Sequence, residues 1–293
     1  MKTIKTTLLL TALTLLLIFG GRAIGRAVGG PGAGTRGMTI GLIVAVVMNG
    51  VSYFFSDKIA LRSAGAQPVT REQAPRLYAV MESLAGKAGL PMPKLYISQQ
   101  AAPNAFATGR NPRHAAVCVT AGLMQLMDDE ELEGVIAHEL SHVRNYDILT
   151  SSIAATLAGA ITWVAQMGRW GMIFGGYGGS RDGEGEGNAI TAILMLILAP
   201  IAALLLQLGI SRQREYQADA SGVQMIGHQY GLIRALQKLE AYNQKIPMQI
   251  SQSTAALCIV APLQARRMFA GLFSTHPPLD DRIEVLKNMQ IIR

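Results

Sequence analysis

Two of the chain's five histidines stand four residues apart with a glutamate beside the first, in "VIAHELSHVRNYD" at residues 135–147. That spacing puts His138 and His142 side by side on one face of a helix. Leu132, Val135, Ile136, Leu140 and Val143 recur at helical period and form an apolar arc, with the histidines at its edge. Glu139 falls inside the arc, where a bare carboxylate is costly unless a cation or a reaction compensates it. Two imidazoles so placed can grip one Zn²⁺ per chain, and the glutamate between them can reach a water as general base. The acids of "DDEELEG" crowd the first turn of this helix, where its dipole favours them.

A catalytic zinc needs a third protein ligand and an open position. "SRQREYQADA" supplies Glu215 and Asp219, four apart on one helical face. Glu215 can be the third ligand, and Asp219 can accept the outer N–H of a ligating imidazole. Alone, the pair reads as a solvated acidic face. Beside the histidine pair it reads as the rest of a metal site.

These groups must be positioned by a chain with an unusual composition. Half of its 293 residues are apolar and only 15% are charged, which fits a protein partly in lipid. Residues 6–21, 37–56, 148–168 and 187–211 are free of Asp, Glu, Lys and Arg. The last three reach the ~20 residues that span a bilayer as helix. The first is short, but Lys5 and Arg22 can snorkel from its ends. It resembles a signal peptide, yet no small-x-small cleavage site follows and a second apolar stretch comes soon after, so an uncleaved anchor is expected. Glycine-rich connectors, "GGRAIGRAVGGPGAGTRG" and "GGYGGSRDGEGEG", join the stretches pairwise into two hairpins with flexible tips.

The expected division is a membrane hairpin over 1–56, a first soluble part over 57–147, a second hairpin over 148–211 and a second soluble part over 212–293. The first soluble part opens with a helix that has Pro75 near its start. Three strand candidates follow, "KLYIS", "NAFATG" and "AAVCVT", the last two separated by the turn-prone "RNPRH". The expected class is therefore an integral membrane protein, mainly α, with a small antiparallel β-sheet. The net charge of +7 is spread out and carries no basic run with interleaved aromatics, so a nucleic-acid partner is not expected. Cys118 and Cys258 lack metal-type spacing and read as reduced structural cysteines. Nothing in the sequence specifies an oligomeric state.

"HELSH" followed by "EYQAD" resembles the gluzincin metalloproteases, and the arrangement of apolar stretches looks like that of the HtpX family of bacterial membrane heat-shock proteases. The resemblance covers nearly the whole chain. It implies Zn²⁺ held by His138, His142 and Glu215, with Glu139 catalytic and Asp219 orienting an imidazole, that of His138. "PNAFATG" resembles the family's substrate-binding edge strand, which would make Asn104, Ala105 and Phe106 substrate contacts. "STHPPLDDRI" matches a segment in which His276 would assist the transition state and Arg282 would support the site. The implied task is cleavage of damaged or misassembled membrane proteins and unfolded polypeptides, beside the lipid bilayer.

Flanking cations set the expected orientation. Lys2, Lys5, Lys58, Arg62, Arg71, Arg76, Arg144, Arg212 and Arg214 lie on the side of the termini; Arg22, Arg26, Arg36, Arg169 and Arg181 lie at the hairpin tips. The larger set belongs inside, which puts the soluble parts and both termini in the cytoplasm, on a bacterial inner membrane crossed several times. Rival readings are a prenyl-peptide protease, which shares this metal site, and a non-catalytic scaffold or chaperone that keeps metal for stability. The intact Glu139 argues against the second. Transport is disfavoured because the apolar stretches hold no charged residue or histidine for an ion path.

Overall fold

The computed structural model describes residues 2–29, 32–156, 212–245 and 277–290. The second apolar pair beyond residue 156, its connector, His276 and Cys258 fall outside them.

The chain begins with two long helices, α1 (Lys2–Gly29) and α2 (Ala33–Ser63). The glycine-rich connector between them, expected to be a flexible tip, is helical through Gly29 and again from Ala33. The reason is packing. A methyl group added at Gly37 would lie 2.0 Å from the Gly21 carbonyl oxygen, and one at Gly41 would lie 2.1 Å from that of Leu17. The glycines let two backbones touch, which is how helices associate where no hydrophobic effect drives them together. Gly34, Gly37, Gly41, Ala45, Ser52 and Ser56 make the buried stripe of α2. Asn49 adds a hydrogen bond across the hairpin, its Nδ2 donating to Thr14 Oγ1 at 2.8 Å. Ile40, Ile43, Val46, Val47 and Phe54 stand exposed on the outside. Among the described residues α2 alone is long and apolar enough to cross a membrane, and only 17% of its apolar window is buried. A soluble core helix would be covered; this one presents its large side chains outward.

A four-stranded sheet follows, with β1 (Ala66–Pro68), β2 (Lys94–Ser98), β3 (Ala105–Gly109) and β4 (Ala115–Thr120) in the order β1-β2-β4-β3. It is mixed, which corrects the antiparallel expectation: β2 and β4 are parallel, while β1–β2 and β3–β4 are antiparallel. The β3–β4 hairpin inserts its second strand beside β2, so β3 is left at the edge. Strand patterning cannot specify that choice, because either strand of a hairpin offers the same alternation. The three-residue β1 also escapes a pattern reading.

β4 shows how the sheet joins two cores. Val117 and Val119 pack with Leu77, Met81 and Leu84 of α3 (Pro75–Ala88) and with the apolar face of α5 (Asp129–Arg144). Ala116 and Cys118 point the other way, to Phe106, to Ala60 and Leu61 of α2 and its cap Ala64, and to Ala155. Cys118 is a buried free thiol whose pKa is pushed up to about 12 by burial. A short helix α4 (Ala121–Leu126) leads to α5, which starts at a capping box. Asp128 Oδ1 accepts from the Glu131 N–H and Glu131 Oε2 accepts from the Asp128 N–H, both at 2.9 Å. Among the described residues two further helices, Arg212–Ile226 and Tyr230–Lys245, pack on α5, and a third, Leu279–Lys287, packs on those two.

The glycine contacts generate a test. Gly41→Leu should destabilise the detergent-solubilised protein by about 1–3 kcal/mol, since the larger side chain must push the helices apart. Val47→Leu, on the exposed side of α2, should leave the melting temperature unchanged.

Candidate functional site

α5 carries His138, Glu139 and His142 because its apolar face is anchored on the sheet and α3. Leu132, Val135, Ile136, Leu140 and Val143 are all fully buried, so the rotation of the helix is fixed. Glu215 and Asp219 arrive on the Arg212–Ile226 helix. Gly222 permits that approach, since a side chain there would meet the α5 backbone at Ala137 and His138 at about 3.1 Å. Arg282 comes from the Leu279–Lys287 helix and has no exposed surface.

The two imidazoles and the carboxylate converge. His138 Nε2 and His142 Nε2 are 3.3 Å apart, with the rings almost perpendicular at 89°. Glu215 Oε2 lies 3.7 Å from His138 Nε2, and Glu215 Oε1 lies 3.6 Å from His142 Nε2. Ligand atoms held ~2.0–2.1 Å from a tetrahedral zinc would be separated by about 3.3–3.4 Å. The two imidazole nitrogens thus already stand about one such edge apart, each with its own Glu215 oxygen slightly farther off, and the donor set suits a divalent ion of zinc type.

Behind this face lies a second layer of charge. His138 Nδ1 is 2.8 Å from Asp219 Oδ1, so this nitrogen donates to the carboxylate and Nε2 is the one that faces Glu215 and His142. Arg282 grips Asp219 with two hydrogen bonds, Nε to Oδ2 at 2.8 Å and Nη2 to Oδ1 at 2.6 Å. Arg282 Nη1 also stands 3.8 Å from Glu215 Oε2. Burial pulls against charge on His138, but its contacts with Asp219 and Glu215 outweigh that and push its pKa up to about 9. Burial likewise opposes ionisation of Asp219, yet the Arg282 charge and the His138 hydrogen bond hold its carboxyl below the usual range. The Glu139 carboxyl is raised, chiefly by burial, against the pull of His138, His142 and the Ala107 amide.

Glu139 is tied to the sheet. Its Oε2 accepts a hydrogen bond from the Ala107 N–H at 2.8 Å. Asn104 gives its carbonyl to Thr120 of β4, so by antiparallel alternation Phe106 and Thr108 also face β4, while Ala105 and Ala107 face outward. The expected edge strand is an edge, but it is not exposed: every residue of β3, and Asn104 before it, is buried. α5 covers the Ala107 side, and Thr108 Oγ1 meets Ser152 Oγ at 2.7 Å.

One residue gains a place that sequence reasoning does not give it. Asp147 Oδ2 lies 3.6 Å from His142 Nδ1, on the side of the ring away from Glu215, and Arg214 Nη1 is 4.0 Å from its Oδ1. The turn that delivers it puts Tyr146 at a φ of 58°, with the Asp147 N–H donating to the His142 carbonyl at 3.0 Å. A carboxylate five residues after the second histidine was the available signal. His114 bonds to Asn111 and His228 stacks on Tyr230, both outside this cluster.

Comparison with known proteins follows the same lines. Residues 71–290 match the model of peptidase family M48. The chain is 54% identical over 280 residues to "Protease HtpX homolog" of Desulfatibacillum aliphaticivorans, covering 96% of this chain and 87% of that one. It is 50% identical over 285 residues to "Protease HtpX homolog" of Desulforapulum autotrophicum, covering 97% and 89%. A solved structure, that of S. mikatae Ste24p, aligns with a TM-score of 0.47 at 20% identity over 97% of this chain and 64% of that one.

The buried charges yield a stability test. Arg282→Ala strands Asp219 as a buried unpaired carboxylate and should cost about 3–5 kcal/mol, read as a fall in melting temperature. Arg282→Lys should recover only part of the loss, because an ammonium cannot make the two-pronged contact.

Proposed function

The chain belongs to peptidase family M48 and is a metalloprotease; from that premise we propose that it is a zinc endopeptidase of a bacterial inner membrane, with His138, His142 and Glu215 as the metal ligands. The observation that carries this reading is the convergence of two imidazole nitrogens 3.3 Å apart on the Glu215 carboxylate, whose Oε2 lies 3.7 Å from His138 and Oε1 3.6 Å from His142, with Glu139 on the helix of the two histidines. Zinc, when bound, would supply Lewis acidity for a peptide carbonyl and make a water easier to deprotonate.

The chain's own groups do the rest. The Ala107 amide holds Glu139 Oε2, which leaves Oε1 to take the proton of the attacking water and later hand it to the leaving amine. Asp219 keeps the His138 proton on Nδ1, and Arg282 keeps Asp219 ionised. The outward-facing backbone of β3, beside Asn104, Ala105 and Phe106, would pair with an extended substrate once the cover over that edge yields. His276, outside the described residues, would stabilise the developing oxyanion. The division into hairpins at 1–56 and 148–211 and protease parts at 57–147 and 212–293 belongs to this proposal. So does a cytoplasmic site cleaving damaged or misassembled membrane proteins. The exposed apolar flank of α2 supports the membrane part of the reading.

Glu139→Gln should keep its metal and lose about 100- to 10,000-fold in cleavage of a casein-type substrate. Glu215→Ala should lose metal by elemental analysis of the detergent-purified protein, whereas Glu240→Ala should not, because two imidazoles leave zinc under-ligated. Undiminished cleavage by Glu139→Gln would turn the reading towards a metal-stabilised scaffold purified with a contaminating protease. Chelator should abolish cleavage by the wild type, and added Zn²⁺ should restore it.

A further inference from the structure

The sheet has one end directed at the bilayer, and that end is basic. Its direction follows from α2. The helix leaves its apolar stretch near Ser56, and its last turns at Ala60, Leu61 and Ala64 pack along Phe106, Ala116 and Cys118. At Ala64, the residue that caps the C-terminal end of α2, far from the apolar stretch, the carbonyl accepts from Ser98 Oγ at 2.5 Å and from Gln100 Nε2 at 3.2 Å. Ser98 is in register with Thr120, and Asn104 gives its carbonyl to the Thr120 N–H, so this is the end of the sheet away from lipid. The opposite end holds Lys94, Gly109 and Ala115. Thr108, next to it, bonds to Ser152 within the charge-free stretch that begins at residue 148. Two different elements therefore point the β3–β4 turn towards the membrane.

That end displays Lys94 from the strand start and Arg110, Arg113 and His114 from the turn, with Met92 exposed beside Lys94. Neither residues 89–94 nor 109–115 contain an acid; on the neighbouring loop Arg71 pairs with Glu82, and Glu72 adds one negative charge against the four basic side chains of this end. The turn is a defined structure. Pro112–His114 form a single 3₁₀ turn, and Asn111 Oδ1 accepts from the His114 N–H at 3.1 Å. Cations held at the lipid-facing end of a rigid sheet are placed to meet phosphate, and the inner surface of a bacterial membrane is anionic.

We propose that this end of the sheet rests on anionic phospholipid headgroups, with Lys94, Arg110 and Arg113 on the phosphates and Met92 in the interface. The contact sets the height of β3 above the bilayer, and with it that of Glu139, whose carboxylate the Ala107 amide holds. It rests on the reading of α2 as a membrane span.

The test is hydrogen–deuterium exchange of the full chain, carrying Glu139→Gln against self-cleavage, in nanodiscs of phosphatidylcholine alone or mixed with phosphatidylglycerol. Amides of residues 89–94 and 109–115 should exchange at least about fivefold more slowly with phosphatidylglycerol present. High salt should remove the difference, since exposed charges are screened. The Arg110→Gln/Arg113→Gln double variant should lose it too, while exchange in β4 stays unchanged as the check on folding. Equal exchange in both lipids, in a protein seated in the discs, would overturn the proposal and leave the span reading standing. Failure of the protein to enter discs of either lipid would overturn both.

Discussion

A guanidinium with no exposed surface, clamped on a carboxylate with almost none, sits beneath the metal-binding face. This Arg282–Asp219 pair is the interaction on which the rest depends. His138, Glu139, Glu215 and Asp219 are all buried within one region, and four titratable groups cannot share a dry site without a compensating charge. Arg282 provides it, facing Asp219 and Glu215 at once and standing 3.4 Å from His138 Nδ1. It also joins three helices that are far apart in sequence. Removing water makes each of these contacts stronger, and makes any missing one more costly.

The same economy of small residues recurs at both levels of the molecule. In the hairpin, glycines bring α1 and α2 into backbone contact and leave the large side chains outside. At the site, Gly222 brings the Glu215 helix onto α5 beside His138. Close approach has a different use in each place. Between α1 and α2 it lets the two backbones touch. Between α5 and its neighbour it sets a carboxylate within 3.7 Å of both imidazoles.

The sheet links the two levels. One face of β4 contributes to the core that fixes α5, and the other packs on the C-terminal end of α2. Glu139 is held by the edge strand of that sheet, so the proton-accepting group and the proposed substrate edge are one mechanical unit. A substrate strand entering there would find the Ala107 N–H already used, leaving the other outward-facing groups of the edge to set its register.

What the sequence by itself determined is what lies within a few helical turns. The pairing of His138 with His142, the apolar arc that turns them, the acids at the α5 start and the face shared by Glu215 and Asp219 all follow from a period of 3.6 residues. Apolar length likewise announces α2 as a candidate span. Tertiary structure alone decided what depends on which surfaces meet. Glycine-rich "GGRAIGRAVG" reads as loose chain, yet contact with a second helix makes it helix, because glycine's entropic cost is outweighed by the packing it permits. Strand patterns showed three of the four strands but not that β4 would lie parallel to β2, since backbone pairing leaves no mark on side-chain alternation. A left-handed Tyr146 turns Asp147 to the outer nitrogen of His142, a placement its position in the sequence does not show. Arg282 was legible as part of a matching segment, but its grip on Asp219 was not, because a buried ion pair between distant helices has no period to read.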